Sequence, residues 1–174
     1  MEDAVRLNRP KASSRDKWYP STLKCNVAYA LAPTSLSLEI VVRNVGGAKA
    51  PLIVGAHPYF IVEGSWLIRA EGALRCLAEG KIPTGVLVPH EFGEDGEYDD
   101  CFLIERDPLV LESKRFRITV IRRGMPYVQI YTGVRRAIAV EPMSGAPDAY
   151  HNGMGLKVLS PDEEARFGFT IEFE

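Results

Sequence analysis

Apolar residues recur at every second position over long stretches of the chain. Leu23, Cys25, Val27, Tyr29 and Leu31 alternate with polar or small residues, and after Ala32-Pro33-Thr34-Ser35 the period returns at Leu36, Leu38, Ile40 and Val42. Successive side chains of an extended strand point to opposite faces, so this pattern predicts a hairpin with one buried face. Phe116, Ile118 and Val120 alternate with Arg115, Arg117 and Thr119, and Gly124-Met125-Pro126 breaks the chain before Tyr127 to Thr132. Ala137 to Val140 is a short continuous apolar strand. Phe167, Phe169, Ile171 and Phe173 alternate with Gly168, Thr170, Glu172 and Glu174 to form a terminal strand. No window of 11 residues carries apolar residues at helical spacing without Gly or Pro intruding. Fifteen Gly and twelve Pro punctuate the strands at short intervals. The expectation is an all-β, antiparallel β-sandwich with less than about a tenth of its residues in helix.

The 174 residues suffice for one domain with a real core, burying about 70% of the unfolded-chain surface. Residues 19–174 read as that single domain. Residues 1–18 are polar, basic and unpatterned and read as a poorly ordered arm, or as the tail of something that preceded it. A net charge of -2 makes no case for nucleic acid or an anionic membrane as partner. The basic stretch Lys114, Arg115, Arg117, Arg122 and Arg123 reads as the solvated face of a hairpin. There is no run of 18 apolar residues, and Met1 to Arg6 lacks the apolar segment of a signal peptide. Cys25, Cys76 and Cys101 are odd in number and widely spaced, which suggests neither a disulfide framework nor a zinc site. A reducing, cytoplasmic setting is expected.

Chemistry concentrates at a few strand ends. Gly55-Ala56-His57-Pro58-Tyr59-Phe60 follows the apolar run Pro51-Leu52-Ile53-Val54. A histidine at the end of a rigid strand can be aimed, and imidazole titrates nearest neutrality, which suits acid/base work. A hydrogen-bonded structural histidine is the alternative. The flanking ring of Tyr59 can stack on the apolar face of a sugar. Glu141 follows Ala137 to Val140 and precedes Pro142, so it reads either as a base held at a strand exit or as a surface glutamate. Asp99 and Asp100 close an acidic run with Glu91, Glu94, Asp95 and Glu97 that lacks calcium-loop spacing. Gln129 shares a face with Tyr127 and Tyr131, a row that can bond a polyol or face water. None of His57, His90 and His151 pairs at metal-ligand spacing, so no metal is expected.

Six motifs then fall in one order. They are Tyr19-Pro20, His57-Pro58-Tyr59-Phe60, Ile82-Pro83-Thr84-Gly85, Asp99-Asp100-Cys101-Phe102, Gln129-Ile130-Tyr131-Thr132 and Glu141-Pro142 with Pro147-Asp148-Ala149. Together they resemble the C-terminal half of the aldose 1-epimerases, the galactose mutarotase group. The resemblance implies part of the mutarotase β-supersandwich and a monosaccharide substrate. It implies His57 as general acid, Glu141 as general base, and Asp99 as a ligand of sugar hydroxyls, with Asp100 as a one-residue-shifted alternative. It implies Gln129 as a residue lining the site.

The residue types suit the implied reaction. A base removes the anomeric hydroxyl proton while an acid protonates the ring oxygen; each such step is helped about 10²–10⁴-fold. Rotation about C1–C2 and reclosure give the other anomer. No electron sink is needed, so no cofactor is expected. The two groups are expected to face one cleft about a pyranose ring apart. Full-length family members carry an N-terminal half with a second histidine and an arginine for the sugar, and neither motif occurs in residues 1–50. Sheet surface left uncovered favours a homodimer or higher homo-oligomer through strands near Leu23 to Val42. A non-catalytic carbohydrate-binding domain is the alternative from another class.

Overall fold

The computed structural model describes residues 5–12, as backbone, and residues 18–174. Two antiparallel sheets dominate. The first has seven strands: β1 (Val5–Ala12), β2 (Leu23–Ala32), β3 (Ser35–Asn44), β6 (Trp66–Arg69), β10 (Leu109–Ser113), β11 (Arg117–Arg123) and β15 (Glu164–Phe173), in the order β1-β2-β3-β15-β11-β10-β6. The second has six: β5 (Tyr59–Ile61), β7 (Leu74–Glu79), β8 (Ile82–Pro89), β9 (Asp99–Leu103), β12 (Tyr127–Val134) and β13 (Ala137–Met143), in the order β5-β13-β12-β9-β7-β8. β4 (Ala50–Leu52) and β14 (Lys157–Leu159) form a separate pair. Among the described residues the one helix, α1 (Ala149–Asn152), has 4 residues. No helix there is long and apolar enough to cross a membrane.

The alternation explains the packing. Leu38, Ile40, Val42, Phe167, Phe169 and Ile171 turn inward from the first sheet. They meet Phe102, Val128, Ile130, Ile138 and Val140 from the second, all fully or almost fully buried. The hairpin expected from Leu23 to Val42 is β2–β3, closed over Pro33-Thr34 with Ala32 opposite Ser35.

Several expectations change. Val5–Ala12, inside the segment read as an arm, is β1, paired along its whole length with β2. The edge of β2 offers a row of unpaired backbone groups, and a strand satisfies them whatever its side-chain pattern. Residues 1–4 and 13–17 lie outside the described residues. Arg122 departs from the solvated face predicted for the basic stretch. It sits opposite the core residue Phe169, so its side chain points inward, only 3% exposed and bonded to Asp107 and the Arg106 carbonyl. On the same inward face, Tyr29 and Leu31 on β2 and Phe173 on β15 remain 45%, 56% and 44% exposed. An apolar end of the seven-stranded sheet is therefore left uncovered.

Candidate active site

The site is built as a row across the six-stranded sheet. Gln129 on β12 stands opposite Glu141 on β13 and, on its other side, opposite Cys101 on β9. The connector after β4 runs antiparallel to β13: Gly55 bridges Met143, the Ala56 N–H donates to the Pro142 carbonyl at 3.0 Å, and Tyr59 pairs with Ala139. That register sets His57 directly beside Glu141. The His57 Nε2 to Glu141 Oε1 distance is 3.1 Å.

The local setting of both residues differs from expectation. Of the apolar run only Pro51 and Leu52 belong to a strand, β4, and His57 projects from the extended connector rather than from a strand end. Glu141 lies within β13, not at its exit. Pro142 does not end the strand, since its carbonyl still accepts the Ala56 N–H. His57 and Glu141 are in direct contact rather than about a pyranose ring apart.

Glu141 is largely withdrawn from water, its side chain 14% exposed, while His57 is 54% exposed. Burial pushes the Glu141 carboxyl above the ordinary glutamate range; the neighbouring imidazole opposes this and the Asp99 carboxylate adds to it. Tyr59, two residues from His57 and so on the same side of the connector, stacks on the imidazole at 4.9 Å and 29°. One face of the tyrosine ring is thus taken up by His57.

Asp99 shares the face of Cys101 and Gln129. Its Oδ1 accepts the Gln129 amide N–H at 3.1 Å, and its Oδ2 meets Lys81 Nζ at 2.6 Å. Asp100 alternates to the other face, opposite the core residue Ile130, and its carboxylate is tied to Arg75 at 2.7 Å. Of the two aspartates, Asp99 is the one grouped with Glu141 and Gln129. A cleft of about 920 Å³ opens over this row, lined by Glu141, Gln129, Asp99 and Lys81, by the Asp100–Arg75 pair, and by Cys76 and Cys101 among others. His57 and Tyr59 stand beside it, next to Glu141. The remaining histidines lie elsewhere: His90 packs against Phe92 and Phe102, and His151 bonds Asp148.

Lys81 adds a cation to the row. It lies in the β7–β8 turn with Gly80, at φ 75° and 55°. Positive φ at both central residues is the two-residue hairpin geometry that matches strand twist. The pair Gly80-Lys81 between alternating strands was a readable turn signal, but nothing local says that the lysine reaches Asp99. Among the described residues no three His, Cys, Asp or Glu side chains are grouped to hold a metal ion.

The fold has clear counterparts. Slr1438 from Synechocystis sp. PCC 6803 superposes with a TM-score of 0.84 at 19% identity, over 100% of this chain and 63% of that one. The GalM/aldose epimerase homologue from C. elegans gives 0.82 at 13%, over 99% and 68%. The galactose mutarotase-like protein CA_C0697 from Clostridium acetobutylicum gives 0.80 at 16%, over 98% and 62%. In sequence, the uncharacterized protein YihR of Escherichia coli strain K12 is 28% identical over 174 aligned residues. That match takes in 88% of this chain and 56% of YihR, so the chain spans little more than half the length of this relative. The sequence pattern of aldose 1-epimerases matches residues 2–172, nearly the whole chain, and the site row falls inside it: this protein belongs to the aldose 1-epimerase family.

Proposed function

We propose that the chain interconverts the α and β anomers of a hexose or related aldose by acid/base ring opening. The observation that carries this reading is the 3.1 Å contact of His57 with a largely covered Glu141, in one row with Gln129 and beside Asp99. In this reading Glu141 takes the anomeric hydroxyl proton and His57 protonates the ring oxygen. The open-chain aldehyde turns about C1–C2. On reclosure His57 removes the proton from the attacking hydroxyl and Glu141 returns its own to the new anomeric oxygen, so the site ends as it began. Asp99 and Gln129 accept and donate hydrogen bonds to ring hydroxyls, and the free face of Tyr59 covers the apolar side of the sugar. Family membership supports a sugar substrate.

The test is polarimetry or proton NMR of freshly dissolved anomers of several aldoses. Expected is interconversion faster than the buffer rate, falling at least about 10²-fold in kcat/KM for His57→Asn and for Glu141→Gln. Full activity in either variant rejects the assignment. Sugar binding without any acceleration makes the chain a carbohydrate-binding domain instead. We further propose that two copies associate through the uncovered sheet end at Tyr29, Leu31 and Phe173.

A further inference from the structure

The same row continues past Gln129 to two thiols. On the antiparallel pair β7–β9, Leu74 faces Leu103 and Arg75 faces Phe102. One more step in that register sets Cys76 opposite Cys101. Both are buried, at 2% and 5% exposure, pack in one cluster with Tyr127 and Ala146, and line the cleft. Facing residues on antiparallel strands have Cα atoms about 4.5–5.5 Å apart. A disulfide requires about 4.4–6.8 Å. The two sulfurs can therefore be bridged with little movement of the backbone.

The place of the pair in the sheet gives such a bond a consequence. β7 is held to β9 by only two residue pairs, Leu74–Leu103 and Arg75–Phe102. Beyond them the hairpin β7–β8, which carries Lys81 and one wall of the cleft, has no further strand pairing with β9 among the described residues and is tied down by side-chain contacts, Lys81 with Asp99 and Asn152 with the Pro83 carbonyl. Cys76 is the first residue past that short tether. We propose that Cys76 and Cys101 are a peroxide-responsive dithiol that closes to an intramolecular disulfide and fixes the β7–β8 wall against β9.

The two thiols are unequal. Hydrogen bonds from the Cys101 thiol and the Leu103 N–H lower the Cys76 thiol from its ordinary range, and the bond to Cys76 together with burial raises Cys101. Attack from either sulfur ends in the same disulfide; with the lowered Cys76 thiol attacking first, the step balances. The Cys76 thiolate attacks one oxygen of hydrogen peroxide, the O–O bond breaks, and hydroxide leaves from a Cys76 sulfenic acid. The Cys101 sulfur then attacks the Cys76 sulfur. The S–O bond breaks, the S–S bond forms, and the Cys101 proton leaves with the departing oxygen as water. Two thiols are oxidised and one peroxide is reduced to two waters.

The test uses the native chain with hydrogen peroxide and does not depend on any sugar activity. Free thiols counted after denaturation should fall from three to one, peptide mapping should join Cys76 to Cys101, and dithiothreitol should restore all three. A Cys25→Ser chain should lose both of its two thiols in the same way, since Cys25 lies on β2 in the other sheet. Hydrogen exchange across residues 74–89 should slow in the oxidised protein. Loss confined to Cys25, linkage between chains, over-oxidised Cys76 without a link, or thiols that resist peroxide as the denatured chain does not would each overturn the proposal. A bond that forms but leaves exchange unchanged would overturn its role in holding the wall.

Discussion

At Glu141, burial and the Asp99 carboxylate both oppose ionisation, and only the His57 imidazole favours it. The folded-state carboxyl therefore holds its proton to higher pH than the unfolded one. Below the unfolded value, about 4.3, the carboxyl is neutral in both states and carries no penalty. As pH rises through the folded value, the native state loses stability relative to the unfolded chain. Glu141→Gln removes that penalty. Its melting temperature should match wild type at about pH 4 and exceed it at neutral pH, while anomer interconversion falls by at least about 10²-fold. A Gln variant less stable than wild type at neutral pH contradicts this account of burial. In the proposed mechanism Glu141 acts in its ionised form, so the acid limb of kcat/KM should lie above the ordinary glutamate range, which a pH–rate profile reads directly.

At the scale of elements, the β7–β8 hairpin joins strain to the site. A non-glycine residue in the left-handed region costs about 1–2 kcal/mol, and Lys81 sits there at φ 75°. Its ion pair with Asp99 is exposed, 70% and 46%, so it returns no more than about 1 kcal/mol. The turn therefore works against stability in favour of the position of Asp99. Lys81→Gly should leave the melting temperature equal or higher. It should raise KM for the sugar severalfold with little change in kcat, because Gln129 still holds one oxygen of Asp99. A clear loss of stability with unchanged KM would show that the lysine serves the fold alone.

For the whole molecule, the uncovered sheet end is the feature with a solution consequence. Tyr29 and Leu31 belong to the inward-facing set of β2 yet are about half exposed. Apolar surface on a core-facing sheet is seldom left open to water. Sedimentation velocity at micromolar concentration should show a dimer or larger species, and Leu31→Lys should shift it to monomer with the far-ultraviolet spectrum unchanged. A wild-type monomer removes this argument.

What the sequence determined by itself is local in origin. Period-2 spacing gave the inward faces of β2, β3, β11 and β15, because a strand assigns its faces by residue parity alone. The motif order picked out His57, Glu141, Gln129 and the Asp99-Asp100 pair as candidates. Tertiary structure decided the rest. Asp99 and Asp100 both line the cleft, and it is the pairing of β9 with β12, thirty residues away, that puts Asp99 in hydrogen-bond contact with Gln129. The contact of His57 with Glu141 exists because the connector after β4 runs along β13, a register set by backbone bonds between segments far apart in the chain. Lys81 finds Asp99, and Cys76 finds Cys101, only once β7 is laid beside β9. Parity along one strand is written in neighbouring residues; register between strands is a property of the assembled sheet.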